Sequence, residues 1–266
     1  MCGICSIENS DPAINLFTDA EYDQVINGIF AGTINVQNLD VNTYRKIAKK
    51  LTEGVFQGYK KSFSDVLYNS PDYTMLRDLR ENVYIFSGAK TYQQTRQVSA
   101  LLTTKDAITS FKDFKDKAYR ILTEYNENYL KTEYNSSIAQ AQSASQWQDI
   151  QATKEDLPML TYHTVQDGRV RPTHRELDGI SRSVDDKFWS NYMPPNGWNC
   201  RCTVLQGTID VEKTNLRGFK NPKDVPDIFL FNPGKDRIIF SKKHPYFDVA
   251  QKDKKLAKVN WNLPLP

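Results

Sequence analysis

Long apolar runs are absent from this sequence of 266 residues. No stretch approaches the roughly 18 consecutive apolar residues of a membrane-spanning helix, so we predict no contact with a membrane. The N-terminus also lacks the basic and then apolar pattern of a secretory signal, since Glu8 and Asp11 follow the first residues. Both absences indicate a protein that is made in a cytoplasm.

Cysteine is scarce, with four residues in the chain. That number is too small for the disulfide scaffold of a small secreted domain. The four residues form two close pairs: Cys2 and Cys5 are spaced Cys-x-x-Cys, and Cys200 and Cys202 are spaced Cys-x-Cys. Close cysteine pairs of this kind are candidates for metal ligands.

The sequence has no large excess of positive or negative charge. It contains 35 Lys and Arg residues and 32 Asp and Glu residues, which gives a formal net charge of +3. Non-specific DNA binding usually requires a concentrated basic surface. A free DNA-binding module is therefore disfavoured. Lys242-Lys243 and the basic residues of segment 252–258 form a modest tail, which either touches nucleic acid or, more simply, is solvated.

Proline is nearly missing from the first part of the chain. Only Pro12 and Pro71 precede residue 158, and the other ten of the twelve prolines lie from residue 158 onward. Because proline is excluded from helix interiors, the first part can form long helices and the second cannot be dominated by them. We predict an α+β protein with a mainly helical region at residues 1–157 and a small mixed α/β, loop-rich domain at residues 158–266.

Two apolar stripes with helical spacing run through residues 44–67 and 111–147. Ser110, followed three residues later by Asp113, is a capping-box-like start for the second helix. An unbroken second helix would be longer than a small domain, so we predict a break near residues 135–137.

Shorter elements are predicted elsewhere. Residues 76–102 are interpreted as one or two shorter helices with an interruption at Ser87-Gly88. Residues 159–165 alternate like a strand and end at the turn signal Asp167-Gly168. Further strand candidates are residues 202–205, 228–231 and 238–240, the last following a tight turn at Asn232-Pro233-Gly234-Lys235.

The segment 158–206 carries the most specific pattern in the chain. Arg-x-Arg-x-x-His-x-x-Leu-Asp-Gly starts at Arg169, and Pro-Pro-x-Gly-Trp-Asn-Cys-Arg-Cys starts at Pro194. This order and spacing resembles the signature of the phage Mu protein F-like family of head morphogenesis proteins, and a weaker resemblance extends over residues 75–261. The signature residues are Asp167, Arg169, Arg171, His174, Asp178, Trp189, Trp198, Asn199 and Arg201.

The resemblance implies a structural minor head protein of a tailed phage or prophage. Such a protein would reside in the virion after assembly in the cytoplasm of the bacterial host. Family members are low-copy parts of the capsid or its precursor, often at the portal vertex, so the expected partners are the portal protein and capsid or scaffold proteins. Some members influence packaging or ejection of DNA, which implies contact with packaged DNA. No small-molecule substrate is implied.

A metal site is one interpretation of the cysteines in the signature. Cys200 and Cys202 are expected on an extended segment, so their side chains point to the same side, and a disulfide between them would be strained. Ligation of one structural zinc ion is easier, with His174 as the third of four donors. The alternative is two reduced, partly buried thiols without a metal. The candidates for the fourth donor are Asp167, His163, Cys2 and Cys5.

The arginines of the signature allow two interpretations. They either contact DNA or an acidic partner through their guanidinium groups, or they form an internal ion-pair network. The matching number of acidic residues favours the network. The arginines are Arg169, Arg171, Arg175, Arg182 and Arg201, and the acidic residues are Asp167, Glu176, Asp178, Asp185 and Asp186.

Local features of the signature predict a short helix and a small aromatic core. Pro172 suits the first turn of a helix that stops at Gly179, which would place His174 and Asp178 on one face. Phe188, Trp189 and Trp198 most simply form a compact core around Pro194-Pro195, and a peptide-binding groove is the alternative.

An enzyme is the competing interpretation of the whole chain. A metal-dependent hydrolase or nuclease would use His174, Asp167 and Asp178, and a toxin-like transferase associated with phage particles is a further alternative. The sequence has no nucleophile elbow, phosphate-cradling glycine loop or zinc-protease motif. Only about 60 residues follow the signature, which leaves little room for an added effector domain. We therefore expect a protein that is not an enzyme and has no catalytic residues.

Overall fold

The computed structural model describes residues 14–102, 110–217, 219 and 225–266, and these form two compact units. The predicted division of the chain at residue 157 stays a prediction. The strand unit comprises the described parts of Gly54–Leu79 and Asn135–Lys243, and the helical unit comprises the described parts of Asp11–Glu53, Arg80–Tyr134 and His244–Pro266.

Long helices dominate the first part of the chain and short elements the second, which confirms the α+β fold class. None of the described helices is long and apolar enough to cross a membrane. The long helices are α1 (Asp19–Phe30), α2 (Val41–Tyr59), α3 (Pro71–Ser99), α4 (Phe111–Thr123) and α5 (Leu130–Thr153). The short helices are α6 (Pro172–Arg175), α7 (Trp189–Tyr192), α8 (Pro233–Asp236) and α9 (Lys254–Lys258), and the strands are β1 (Met159–His163), β2 (Ser181–Ser183) and β3 (Thr203–Gly207).

The helix α4 begins where the sequence predicted. The backbone N–H of Asp113 donates to the side chain of Ser110, and the Ser110 hydroxyl donates to the Asp113 carboxylate. A π-helical turn at Glu124–Tyr129 joins α4 to α5. The predicted break at residues 135–137 is wrong, because these residues lie inside α5, and the irregularity comes about ten residues earlier.

The helix α3 runs for 29 residues without interruption, so the break predicted at Ser87-Gly88 is also wrong. The Ser87 hydroxyl donates to the carbonyl oxygen of Val83 within the helix. Gly88 allows a close approach instead, since a Cβ there would lie 2.3 Å from Oδ1 of Asn260. The glycine marks a packing contact of the helical unit and not a helix end.

The predicted stripe of residues 44–67 is helical up to Tyr59. Lys60 then adopts a left-handed backbone conformation with φ of 61°, which ends α2. Leu67 lies beyond the helix in an exposed position. The stripe therefore predicted α2 correctly and extended it too far.

The core of the helical unit is built around aromatic rings. Tyr92 of α3 stacks on Trp261 at a centroid distance of 5.0 Å, and the Tyr44 hydroxyl donates to the carbonyl oxygen of Pro264. Residues 260–262 all have left-handed backbone angles. Two of these three residues are asparagines, which tolerate this conformation better than most residues.

An antiparallel sheet of order β2-β1-β3 forms the centre of the strand unit. Buried residues of the sheet, including Leu160 and Val204, pack against Trp147 and Ile150 of α5 and against Trp189. The strands at residues 159–163 and 203–207 lie close to the predicted ones. The strand unit thus needs residues on both sides of residue 157 for its core.

The strand predictions for residues 228–231 and 238–240 are wrong. Residues 227–229 form a single 3₁₀ turn. The predicted tight turn at Asn232 begins α8 instead, because the Asn232 side chain accepts hydrogen bonds from the backbone N–H groups of Gly234 and Lys235. An Asn-Pro pair suits the cap and first position of a helix as well as it suits a turn.

Candidate metal centre

Hydrogen bonds to β1 place His174. The backbone of Tyr162 in β1 accepts from the N–H of Gly179 and donates to the carbonyl oxygen of Ile180. This pairing holds the short α6 close to the sheet, with Pro172 in its first turn as predicted. The helix ends at Arg175 and not at the predicted Gly179, which has a φ of +77°. His174 is consequently only 3% exposed.

The other edge of β1 places the two thiols. β3 begins at Thr203, directly after the Cys-x-Cys segment, and Thr203 pairs with His163 of β1. Before the strand, Asn199 has a left-handed φ of 53° and the N–H of Cys200 donates to the carbonyl oxygen of Gly197. The sheet therefore brings together residues that are 26 to 28 positions apart in the sequence.

The imidazole nitrogen lies at the distance from each sulfur atom that a tetrahedral zinc site requires. Nδ1 of His174 lies 3.5 Å from Sγ of Cys200 and 3.5 Å from Sγ of Cys202. Bonds of about 2.1 Å to nitrogen and about 2.3 Å to sulfur at the tetrahedral angle put these atoms about 3.6 Å apart. All three donors lie within 4.8 Å of one another and line a recess of about 20 Å³, room for one ion.

The two thiols have pKa values shifted in opposite directions. Hydrogen bonds from Cys202 and from His174 hold the pKa of the Cys200 thiol well below its usual range, although burial opposes this. The hydrogen bond to Cys200 and burial raise the pKa of Cys202. One thiolate is therefore already stabilised in this environment, and thiolates are the form of cysteine that binds metal ions.

Two of the predicted fourth donors, Asp167 and His163, are not in this group. Asp167 accepts two hydrogen bonds from the guanidinium of Arg201, at 2.7 and 2.8 Å, and this pairing lowers the pKa of Asp167 to about 2. Among the described residues, the cluster of potential ligands consists of His174 and the two thiols, without His163. Cys2 and Cys5 lie outside the described residues.

The chain matches one family over most of its length. The model of the family described as "Phage Mu protein F like protein" matches residues 43–205, which is more than half of the chain. The chain belongs to this family. The match ends within β3 and includes the three donors of the candidate metal centre.

Comparison with individual proteins adds one curated relative of this Mu F-like chain. A segment of 75 residues, 28% of the chain, is 41% identical to the "Putative capsid assembly protein F" of Escherichia phage Mu. The segment spans only 17% of the length of that relative. No solved structure matches the chain.

Most charged groups of the Mu F-like signature are used internally. Arg201 pairs with Asp167, and Arg182 pairs with Asp186. The Asp178 carboxylate accepts from the backbone N–H of Thr164 at 2.7 Å. The helix α6 ends at Arg175, so Asp178 shares no helical face with His174. These contacts fit the predicted internal network.

Two of the three aromatic residues of the signature lie in the core of the strand unit. Phe188 and Trp189 are buried, and the indole N–H of Trp189 donates to the carbonyl oxygen of Ser183. Trp198 packs edge-on against Phe229 at 4.9 Å. The interpretation as a compact core is the one that agrees with this packing.

The role of Asn196 was not predicted from the sequence. This residue is fully buried and its side chain accepts from the Tyr162 hydroxyl. The side-chain amide donates to the carbonyl oxygens of Asn191, Met193 and Phe229. Asn196 thus fixes the Pro-Pro loop to the sheet, a role visible only from contacts distant in sequence.

A larger cavity of about 230 Å³ also borders the Cys-x-Cys segment of the Mu F-like chain. Both thiols line it, but His174 does not. Another part of its wall comes from α5 and includes Gln142, Gln146 and Asp149.

Proposed function

We propose that this chain is a structural minor head protein of a tailed phage or prophage, acting in head morphogenesis. The family match over residues 43–205 carries the proposal. The printed name of the Mu relative, a putative capsid assembly protein, supports the same role. On this proposal the protein resides in the virion after assembly in the cytoplasm of the bacterial host.

The proposed partners are the portal protein and capsid or scaffold proteins, with contact to packaged DNA. The proposed role is not enzymatic. The hydrolase alternative would employ the carboxylates of Asp167 and Asp178, and both are engaged in hydrogen bonds that hold loops of the strand unit. That engagement supports assembly over catalysis.

We also propose one structural zinc ion held by His174, Cys200 and Cys202. The distances between donors and the stabilised thiolate support this ligand set. Such an ion would join α6 to the segment that enters β3, two parts of the signature with little regular structure of their own. Asp167, Cys2 and Cys5 stay predictions for a fourth donor from the chain.

Cross-linking mass spectrometry on phage heads tests the assembly role. Heads and head precursors are purified from cells in which the phage or prophage carrying this gene is induced. We expect the chain in the particle at low copy number, cross-linked to the portal or to the inner capsid. Its absence from both finished heads and precursors would contradict the proposal.

A genetic experiment separates assembly from catalysis. Deletion of the gene should leave few complete heads in electron micrographs, and the wild-type gene supplied in trans should restore them.

In parallel, the purified chain is incubated with DNA and divalent metals. A nuclease activity that disappears in His174→Ala would favour the enzyme alternative.

A further inference from the structure

The recess at the candidate metal centre is shared with three arginines. Its lining includes the donors His174, Cys200 and Cys202 together with Arg169, Arg171 and Arg201. A metal ion with three tetrahedral donors directs its fourth position away from them. Since the proposed ion occupies the recess, its fourth position faces the open side of this space, which the arginines also border.

The charges around this opening favour an anion. A zinc ion with two thiolates and a neutral imidazole has no net charge. Three arginines border the recess, and two carboxylates lie near it. Asp167 is bound to Arg201 at 2.7 Å, and Asp178 is close enough to act electrostatically on Cys202. Arg169 lies 3.8 Å from the Asp167 carboxylate, and its side chain is 76% exposed. Positive charge therefore exceeds negative charge at the opening.

Arg171 stands next to the imidazole. A Cβ at Gly197 would lie 3.4 Å from Nη1 of Arg171 and 3.6 Å from Nε2 of His174, so the two groups are neighbours across this glycine. The guanidinium donates to the carbonyl oxygen of Trp198 at 2.7 Å. That bond orients the guanidinium, and a neutral carbonyl leaves its positive charge available to an anion.

We propose that a phosphate group binds at the open side of this recess, with one of its oxygens in the fourth position of the metal ion. Arg169 and Arg171 bind the remaining oxygens. The inference rests on the proposed zinc site and extends it with a ligand. A phosphate has enough oxygens for a metal and two guanidinium groups at once, whereas a carboxylate has two oxygens for the three partners.

Cobalt substitution of the full chain provides the test. The chain is loaded with Co²⁺, and excess metal is removed by gel filtration. Thiolate-to-cobalt charge-transfer absorption reports the two cysteine ligands, and the d–d bands respond to a change in any of the four ligands. We expect inorganic phosphate to change the d–d bands saturably without loss of the charge-transfer absorption.

Variants of the arginines identify the phosphate-binding groups. Arg171→Gln and Arg169→Gln should each weaken phosphate binding about tenfold, the effect of losing a hydrogen bond to a charged group. The matched control is Arg217→Gln, which removes the same charge from an exposed position of the strand unit. It should leave phosphate affinity unchanged. Arg169→Gln removes no contact to the Trp198 loop and therefore guards against an effect of misfolding.

Three results would overturn parts of this assignment separately. Failure to take up cobalt at all would contradict the zinc site itself. Cobalt uptake with d–d bands that ignore phosphate would contradict the open fourth position, and recovery of the phosphate response in Cys2→Ser or Cys5→Ser would then identify a chain donor. Tighter binding of acetate than of phosphate would replace the proposed ligand with a carboxylate, such as an acidic side chain of a protein partner.

A competition experiment identifies the source of the phosphate. A short DNA duplex is added to the phosphate-loaded cobalt protein. The duplex can displace phosphate when the concentration of its phosphate groups is far below the concentration at which free phosphate binds. That result would assign the site to the DNA backbone. Displacement only at equal concentrations would assign it to free phosphate.

Discussion

The two thiols next to β3 offer the sharpest test at the scale of single residues. We expect Cys200→Ser and Cys202→Ser each to lower bound zinc, measured by elemental analysis, from about one ion per chain to near zero. A chelator should lower the melting temperature of the wild-type chain, since an ion at 1,000 times its Kd stabilises by about 4 kcal/mol. The variants should not respond.

The control for this experiment is the double variant in which Cys2 and Cys5 are both replaced by Ser. If the double replacement keeps the zinc content and the chelator response, the three described donors are sufficient. Equal zinc contents in all variants and the wild type would show that the ion binds elsewhere.

His244 provides a prediction about pH. Burial, and then the charge of Lys90, lowers the pKa of His244 to about 4 from 6.5, so the folded state keeps the imidazole neutral. The unfolded chain takes up the proton below pH 6.5. The contribution of His244 to the free energy of unfolding is therefore fully present above about pH 6.5. It is lost as the pH falls through 4, by about 3 kcal/mol in all.

The measurement is urea unfolding of His244→Asn and wild type between pH 7 and pH 4. In the native chain the backbone N–H of Tyr246 donates a hydrogen bond to Nδ1 of His244. The asparagine side chain retains an acceptor for this bond. The variant should lose less stability than the wild type over this range. Parallel curves for the two proteins would mean that other groups cause the acid sensitivity.

The spacing of the signature predicted which residues would gather at the site but not what each would do. His174, Cys200 and Cys202 come together as expected. Asp167 was a candidate ligand, yet its carboxylate binds Arg201. A carboxylate serves a metal and a guanidinium equally well, and only the positions of both partners decide between them.

At the scale of elements, Gly58 allows α2 to approach α5 within the strand unit. A Cβ on Gly58 would lie 2.0 Å from the carbonyl oxygen of Ile138, a backbone atom that cannot turn away. We expect Gly58→Ala to destabilise the protein by about 3 kcal/mol in urea unfolding, the upper part of the range for overpacking.

Gly168→Ala is the matched control, because nothing lies within 4 Å of a Cβ there. Alanine at such a site restricts the unfolded chain, so stability should be unchanged or higher by about 0.4–1 kcal/mol. Equal effects of the two substitutions would contradict the close approach of the helices.

The π-helical turn is tied to a buried ion pair of the helical unit. Lys90, fully buried in α3, donates to the Glu133 carboxylate at 2.5 Å and to the carbonyl oxygen of Tyr125 in the π turn at 2.6 Å. Burial lowers the pKa of Lys90, although Glu133 opposes this. Glu133→Gln leaves the lysine without its counter-charge and should cost about 3–5 kcal/mol.

An exposed ion pair of the same unit serves as the comparison. Glu53→Gln removes the partner of Lys50, whose contact is partly exposed, and should cost about 1 kcal/mol or less. Chemical denaturation of both variants distinguishes the cases. The buried pair would have no special role if Glu133→Gln cost no more than Glu53→Gln.

Periodicity predicted the long helices better than it predicted their ends. The apolar stripes located α2 and the joined α4 and α5, because one face of each is buried. Ser87-Gly88 was interpreted as a break since serine and glycine are poor helix formers. Packing of Gly88 against Asn260 outweighs that preference, and the contact joins residues too distant in sequence for periodicity to show.

At the scale of the whole molecule, fragments can test the predicted boundary at residue 157. Trp147 and Ile150 of α5 belong to the same core as Leu160, and a Cβ on Gly234 would lie 2.3 Å from Cβ of Trp147. A fragment of residues 158–266 lacks both core residues. We expect it to show weaker near-ultraviolet circular dichroism and lower zinc uptake than a fragment of residues 130–266.

A well-ordered fragment 158–266 would instead support the predicted domain.

Composition indicated correctly where long helices give way to short elements. It did not indicate the two compact units, since α2, α3 and α5 each supply residues to both. A compact unit depends on contacts between distant residues, and the distribution of proline contains no information about them.

The π turn at Glu124–Tyr129 has a consequence for the alignment of relatives. Inserting one residue into a regular α-helix rotates everything after it by about 100°. A π turn holds one extra residue per turn and absorbs that rotation locally. A relative that lacks one residue within this stretch can therefore present the same faces of both helices. A single-residue gap belongs there, and not at the nearest loop.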